Sequence, residues 1–154
     1  MNIKIISIGK KLNTWEKEGV HYYVKQFPKN IKLDFLNIGG LQNLNLSKEI
    51  IKKKECDLIA SKIKSKDLVI SWDSTGDKLN STEFSAFLKN TLVNNTNINF
   101  VIGGSYGLSL DFLKKSDKVF SASKFTFPHR LFKIILVEQI YRGISIIDKT
   151  PYHK

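Results

Sequence analysis

The sequence has 154 residues, of which 42% are hydrophobic and 11% aromatic, so it has the size and composition of one folded domain and not of a disordered tail or a fibre. The 25 Lys and Arg residues exceed the 14 Asp and Glu residues, and the resulting net charge of +11 favours a polyanionic partner such as nucleic acid, with solubility alone as the alternative. The longest apolar run, residues 134–137, is too short for a transmembrane helix, which needs about 20 apolar residues.

The first half of the chain alternates strand patterns with helix patterns. Residues 2–8 alternate polar and apolar side chains, which predicts a strand and gives no sign of a secretory signal peptide. Residues 14–26 and 47–64 carry apolar side chains at helical spacing, and residues 31–38 alternate again as a strand with one solvated face. The lone Cys56 has no partner for an internal disulfide, so we expect the protein to be cytoplasmic.

The second half of the chain continues this alternation with more strongly apolar strands. Residues 73–77 read Asp-Ser-Thr-Gly-Asp and predict a loop, and the spacing of Asn80 and Glu83 is that of a capping box at the start of a helix. The strands predicted here are residues 67–72, 97–102 and 117–121, and the helices are residues 81–92, 109–115 and 129–143. The order of elements predicts an α/β fold with a mostly parallel sheet flanked by helices.

Three loops follow predicted strands and are candidates for a binding site, because open α/β sheets bind ligands beyond the carboxyl ends of their strands. They are residues 73–78, 103–107 and 122–128. The second loop reads Gly-Gly-Ser-Tyr-Gly, which is neither the dinucleotide fingerprint nor a P-loop, so a tight structural turn and a ligand cradle are both open. The third offers backbone amides and hydroxyl groups, with a helix-entry loop that packs its two phenylalanines into the core as the alternative.

The end of the chain carries polar groups that are suited to chemistry. Glu138 and Arg142 are four residues apart on the last predicted helix, in the order that favours an ion pair. Tyr152 and His153 add an aromatic ring and an imidazole, with a frayed chain end as the alternative. The three histidines and the cysteine show no metal-ligand spacing, so we expect no metal site.

Several stretches of the chain are weak signals one by one, but in this order and at these spacings they are specific, and together they resemble the RlmH (YbeA-like) family. The members of this family are SPOUT-class methyltransferases that modify a pseudouridine of 23S rRNA, and the resemblance covers essentially the full length of the chain. The matching stretches are Gly9-Lys10 with Trp15, Tyr23 with Phe27-Pro28, residues 102–104, residues 107–109, residues 126–129, residues 136–142 and Pro151-Tyr152-His153-Lys154.

The resemblance implies a single SPOUT methyltransferase domain over residues 1–154, with an α/β fold that contains a trefoil knot. It implies S-adenosyl-L-methionine (SAM) as the cofactor, a homodimer, and neither a metal nor a membrane. The implied reaction is the N3-methylation of pseudouridine 1915 in 23S rRNA on the assembled ribosome. The alternative is a basic RNA-binding α/β module without enzymatic activity. A dinucleotide-dependent oxidoreductase fits less well, because no acidic residue follows the glycine loop at the expected distance.

The resemblance also assigns residues to the cofactor. Three positions depart from the family pattern. Ser105 and Tyr106 stand where the family usually reads Pro-Glu, and Trp72 replaces what is commonly a smaller aliphatic residue. The residues implied to contact SAM are Trp72, Gly103, Gly104, Ala122, Ser123, Lys124, Phe125, Thr126 and Phe127.

Three residues near the end of the chain are the predicted catalytic residues. The acceptor nitrogen of the implied reaction lies between two carbonyl groups and attacks well only after it has lost its proton, which requires a base or a stabilising cation. We expect Arg142 to hold the negative charge and His153 to take the proton or orient the base. Tyr152 is expected to stack on the base or to form a hydrogen bond with it.

Overall fold

The computed structural model describes residues 1–42 and 45–153, and strands alternate with helices along the chain in the predicted order. The strands are β1 (Asn2–Ile8), β2 (Lys32–Ile38), β3 (Leu68–Lys78), β4 (Ile98–Ile102) and β5 (Lys118–Ser121). The helices are α1 (Thr14–Val24), α2 (Lys48–Ala60), α3 (Ser81–Val93), α4 (Leu110–Lys115) and α5 (His129–Ile147). Lys154, the last residue of the C-terminal resemblance, lies outside the described residues.

The strands form one parallel sheet in the order β2-β1-β4-β3-β5, which confirms the predicted fold class. Because every pairing is parallel, all five strands end at the same side of the sheet, here called the carboxyl edge. Helices cover both faces, so the sheet is buried as parallel sheets usually are. The trefoil knot stays a prediction from the resemblance.

Successive strand residues supply the cores on the two faces of the sheet. Ile5 packs with residues of α1, α3 and α5, whereas Ile6 packs with residues of α2 on the other face. Phe100 and Val101 of β4 divide between the same two cores. This alternation follows from the twofold side-chain period of a strand. None of the helices in the described part of the chain is both long enough and apolar enough to cross a membrane.

Capping boxes begin two of the helices that leave the carboxyl edge. The predicted capping box at Asn80 is present, because the Glu83 N–H donates to Asn80 Oδ1 at 2.9 Å and the Asn80 N–H donates to Glu83 Oε2 at 2.8 Å. A second capping box joins Asn13 to Glu16 at the start of α1. These local bonds fix where α1 and α3 begin relative to the edge.

The prediction of a loop at residues 73–77 is wrong, because β3 continues to Lys78. Trp72 and Asp77 both lie opposite Phe120 of β5, so the residues between them form a bulge and the pairing then resumes. Gly76 is required inside this bulge, since a Cβ there would lie 2.6 Å from the Phe120 carbonyl carbon. The pattern typical of a loop therefore marks an irregular stretch within one strand.

The last helix also extends beyond its predicted end at residue 143, to Ile147. Gly143 lies within α5 and lets it approach α3 closely, because a Cβ at this position would lie 2.7 Å from a methyl carbon of Leu88. The Ser85 hydroxyl donates to the Gly143 carbonyl oxygen at 2.9 Å across the same contact. Packing between helices explains this glycine better than a helix end does.

Candidate active site

A cavity of about 320 Å³ lies between the carboxyl ends of β3 and β5 and the helices α3 and α5. Its size falls at the lower end of the range of about 300–1,000 Å³ that is usual for small-molecule sites. Its apolar walls include Trp72, Phe84 and Phe132, and its polar groups come from Asn80, Ser81, Ser121 and Gln139. We refer to it as the Trp72 cavity.

Trp72 is held by aromatic neighbours and has one unsatisfied polar atom. Its ring centroid lies 5.4 Å from that of Phe132, 5.8 Å from that of Phe120 and 6.0 Å from that of Phe84. The indole N–H is buried and has no hydrogen-bond partner among the described residues. A buried donor without a partner costs about 1–3 kcal/mol, so this wall suits a ligand that carries a hydrogen-bond acceptor.

Hydrogen bonds connect the polar end of the Trp72 cavity to the predicted catalytic residues. The Ser81 hydroxyl donates to Gln139 Oε1 at 2.8 Å, and Gln139 Nε2 donates to Glu138 Oε2 at 2.7 Å. The other oxygen, Glu138 Oε1, accepts from Arg142 Nε at 2.8 Å and from the Tyr152 hydroxyl at 3.0 Å. The predicted ion pair between Glu138 and Arg142 is therefore present, and it also anchors the tail.

Tyr152 holds the chain end against α5, so the described part of the tail is packed and not frayed. Its ring lies 4.7 Å from that of Tyr141, and the Arg142 guanidinium lies 4.9 Å from its ring centroid. Burial raises the pKa of the Tyr152 hydroxyl far above its ordinary value, and the hydrogen bond to Glu138 raises it further, so this hydroxyl is protonated at neutral pH. The hydrogen bond to Glu138 likewise raises the pKa of Arg142. His153 is exposed next to this cluster.

Residues 103–107 form a tight turn beyond β4. The Gly107 N–H donates to the Gly104 carbonyl oxygen at 3.0 Å, and Gly107 has a φ of +78°. A Cβ on Gly103 would lie 2.6 Å from the Gly107 carbonyl carbon, and one on Gly104 would lie 2.7 Å from Glu55 Oε2. The turn has no room for side chains at these two positions, which accounts for two of its glycines structurally. The turn does not line the Trp72 cavity.

Residues 122–127 connect β5 to α5 along the other side of the site. The Phe125 N–H donates to Ser123 Oγ at 2.9 Å, and Ala122 lines the Trp72 cavity. Phe127 packs against the core, whereas Phe125 is exposed. The alternative that both phenylalanines pack into the core is therefore correct for Phe127 and wrong for Phe125.

The structure thus brings together some predicted site residues and separates others. Of the predicted cofactor residues, Trp72 and Ala122 line one cavity, and the others lie in the turns at the same carboxyl edge. The predicted catalytic residue Arg142 lies about 20 Å further along α5 than His129, the first residue of that helix. Gln139 lies in the cavity although no sequence pattern pointed to it, because its position depends on the contact between α3 and α5.

A buried charged cluster at the carboxyl ends of β1 and β2 was also missed by the sequence analysis. Lys133 is 3% exposed, and its Nζ donates to Asn37 Oδ1 at 3.1 Å. Glu16 is fully buried, accepts from the Asn13 N–H at 2.9 Å and forms an ion pair with Arg130. Burial lowers the pKa of Lys133, and the Glu16 carboxylate offsets part of this effect. The available signal was a single lysine within the apolar run of α5.

The described part of the chain contains no cluster of side chains suited to bind a metal ion. No group of three or more His, Cys, Asp or Glu side chains is arranged there to hold a metal ion. Cys56 is buried with a free thiol, whose sulfur accepts from the Ser109 N–H at 3.4 Å.

Comparisons with known proteins give consistent matches over the whole chain. Residues 1–153 match the family described as "Predicted SPOUT methyltransferase". Proteins named ribosomal RNA large subunit methyltransferase H are similar over 100% of both chains, with 45% identity in Finegoldia magna, 43% in Alkaliphilus oremlandii and 42% in Clostridium botulinum. A crystal structure of a methylase family protein from Neisseria gonorrhoeae shares the fold, with a TM-score of 0.53 and 10% identity over 91% of this chain and 81% of that chain.

Proposed function

This chain belongs to the SPOUT methyltransferase family, and we propose on that basis that it is an enzyme that methylates N3 of a pseudouridine in 23S rRNA on the assembled ribosome, with SAM as the methyl donor. The observation that carries the proposal is the Trp72 cavity, which lies at the carboxyl edge and has an unpaired donor in its wall. The net charge of +11 supports an RNA substrate. Contacts between basic side chains and RNA phosphates make binding strongly salt-dependent. The expected compartment is the cytoplasm.

The residues at the carboxyl edge fit SAM. The Trp72 indole N–H needs an acceptor, and the ring nitrogens of an adenine supply one. Ala122 and the apolar cavity wall would hold the cofactor together with the backbone of residues 122–127. Gly103 and Gly104 do not line the cavity and would contact the cofactor from the neighbouring turn. When bound, SAM supplies an electrophilic methyl group on a sulfonium.

The tail residues act on the acceptor base. Arg142 is a fixed cation, held by Glu138, that stabilises negative charge on the carbonyl oxygens as N3 loses its proton. His153 is exposed and takes that proton or orients the base. Tyr152 keeps its hydroxyl protonated and presents its ring beside Arg142, where it positions the base by stacking or by a hydrogen bond.

The protein acts as a homodimer in which the tail of each protomer faces the turns of its partner. What supports this arrangement is that Arg142, Tyr152 and His153 do not line the Trp72 cavity of their own chain. Arg142 and Tyr152 are connected to that cavity only through Glu138 and Gln139. A twofold axis places the same two surfaces against each other twice and so forms two equivalent sites.

The reaction is tested on rRNA from cells with and without the gene. Mass spectrometry of 23S rRNA is expected to show one pseudouridine that lacks one methyl group in the deletion strain. Purified protein with SAM is expected to restore this methyl group on the deletion-strain ribosomes, and no change in the rRNA would contradict the proposal. Calorimetry with SAM separates the RNA-binding alternative, since a module without enzymatic activity gives no saturable heat.

A further inference from the structure

Exposed aromatic side chains collect at the carboxyl edge. Trp15 is 48% exposed in the first turn of α1, Tyr106 is 45% exposed in the turn after β4, and Phe125 is 82% exposed in the turn after β5. At a strand spacing of about 4.8 Å, the carboxyl ends of β1, β4, β3 and β5 span about 14 Å. Each ring lies in a segment that follows one of these strand ends, so all three belong to the same edge of the sheet, and large exposed apolar groups on one side of a protein usually mark a binding surface.

An exposed lysine accompanies each of these rings. Lys10 and Lys11 lie in the loop that leads to Trp15, and Lys124 precedes Phe125. Lys48 Nζ lies 5.4 Å from the centroid of the Tyr106 ring. Within residues 1–42 and 45–153, none of these lysines forms an ion pair, so their charge is available to an anionic partner.

The backbone that carries Tyr106 is held in a tight turn. Tyr106 lies between Gly104 and Gly107, which are joined by a backbone hydrogen bond of 3.0 Å, and the Gly103 backbone packs directly against Gly107. A ring fixed in this way loses little conformational freedom when it binds. With Lys48 beside it, Tyr106 offers both an aromatic surface and a cation, which is the combination used by sites for single-stranded nucleic acid.

We infer that Trp15, Tyr106 and Phe125, with the lysines beside them, form a base-stacking rim that binds unpaired nucleotides flanking the methylated base. The inference rests on the proposed function, because it places the RNA at the edge where the cofactor binds. RNA is favoured over a protein partner because exposed lysines without an ion pair lie near Tyr106 in space and near Trp15 and Phe125 in the sequence, and because the whole chain carries a charge of +11. Stacking accepts any base and adds affinity without reading sequence.

The test compares two exposed tyrosines that each have a lysine Nζ at 5.4 Å from the ring centroid. Tyr22 is 56% exposed and has Lys25 Nζ at 5.4 Å from its ring centroid, but it lies towards the end of α1, away from the carboxyl edge. Tyr106→Ala, Tyr106→Phe and the control Tyr22→Ala are assayed for binding to ribosomes from the deletion strain by co-sedimentation, and for binding of SAM by calorimetry. Phe125→Ala provides a second variant outside the glycine turn.

Tyr106→Ala and Phe125→Ala are each expected to weaken ribosome binding by roughly fivefold to 100-fold, the effect of losing one base stack. Tyr106→Ala is also expected to leave the Kd for SAM unchanged. Tyr106→Phe keeps the stack and is expected to bind like the wild type, as is Tyr22→Ala. If both alanine variants bind ribosomes as tightly as Tyr22→Ala does, the proposal of a base-stacking rim is wrong. The proposal is also wrong if either variant is a monomer in analytical ultracentrifugation, because the rings would then belong to a contact between subunits. Binding is measured without turnover, so a wild type that binds ribosomes but transfers no methyl group refutes the proposed function and leaves this comparison intact.

Discussion

Replacing Arg142 by alanine is expected to lower kcat for methyl transfer by about 100-fold or more, the usual effect of removing one group that stabilises developing negative charge. The Kd for SAM is expected to stay within about twofold, because Arg142 contacts Glu138 and Tyr152 and not the cofactor turns. Single-turnover kinetics with deletion-strain ribosomes measures the first quantity, and calorimetry measures the second. His153→Ala is likewise expected to lower kcat and to leave the Kd for SAM nearly unchanged.

A surface ion pair elsewhere provides the control for this prediction. Asp111 and Lys115 form an exposed pair at the same four-residue spacing on α4, so Lys115→Ala removes a comparable bond far from the tail and is expected to leave kcat unchanged. Tyr152→Phe removes only the hydroxyl that donates to Glu138 and shows how much of the Arg142 effect comes from loosening the tail. Full kcat in both Arg142→Ala and His153→Ala would remove the catalytic roles assigned to the tail.

Replacing Gly103 by valine is expected to raise the Kd for SAM by about 100-fold, which corresponds to the loss of two hydrogen bonds of about 1.4 kcal/mol each. The physical reason is the absence of space, because a Cβ on Gly103 would lie 2.6 Å from the Gly107 carbonyl carbon and 2.9 Å from the Leu108 nitrogen. The backbone of the turn must shift, and the cofactor contacts that we propose for this turn shift with it. Calorimetry of SAM binding checks the expected change.

Gly39 is the matched control for Gly103. It follows β2 at the same carboxyl edge, and a Cβ there would have no heavy atom within 4 Å. Gly39→Val is therefore expected to bind SAM like the wild type. If Gly103→Val remains folded by circular dichroism and also binds SAM normally, the glycine turn takes no part in cofactor binding and is a structural turn only.

The sequence predicted the elements that depend on local patterns. The apolar run of residues 67–72 and the capping box at Asn80 are properties of short segments, and both are present in the structure. The continuation of β3 to Lys78 could not be predicted, because it depends on pairing with β5, a strand that lies about 40 residues further along the chain. The sequence likewise predicts that the last helix ends at Gly143 and not at Ile147, since the contact of Gly143 with Leu88 is tertiary.

The candidate site was predicted unevenly by the same logic. The resemblance pointed to Trp72 and Ala122, which meet in one cavity. It gave no sign of the buried Glu16, which pairs with the partly exposed Arg130, or of the buried Lys133. A charged residue on a helix is usually solvated, and only the packing of α1 against α5 buries Glu16 and Lys133. The approach of Gln139 to Ser81 likewise follows from helix packing, which no single segment encodes.

The central claim is that the turns of one protomer bind the methyl donor while the tail of its partner acts on the acceptor base. Co-production of Gly103→Val and Arg142→Ala chains tests it, because each variant spoils a different half of the site. If the two chains associate at random, half of the dimers contain one chain of each kind. Each mixed dimer has one site in which both the turns and the tail are intact, so about a quarter of the wild-type activity is expected. Activity no higher than that of the two parent variants, in a preparation shown to contain the mixed dimer, would contradict a site shared between protomers.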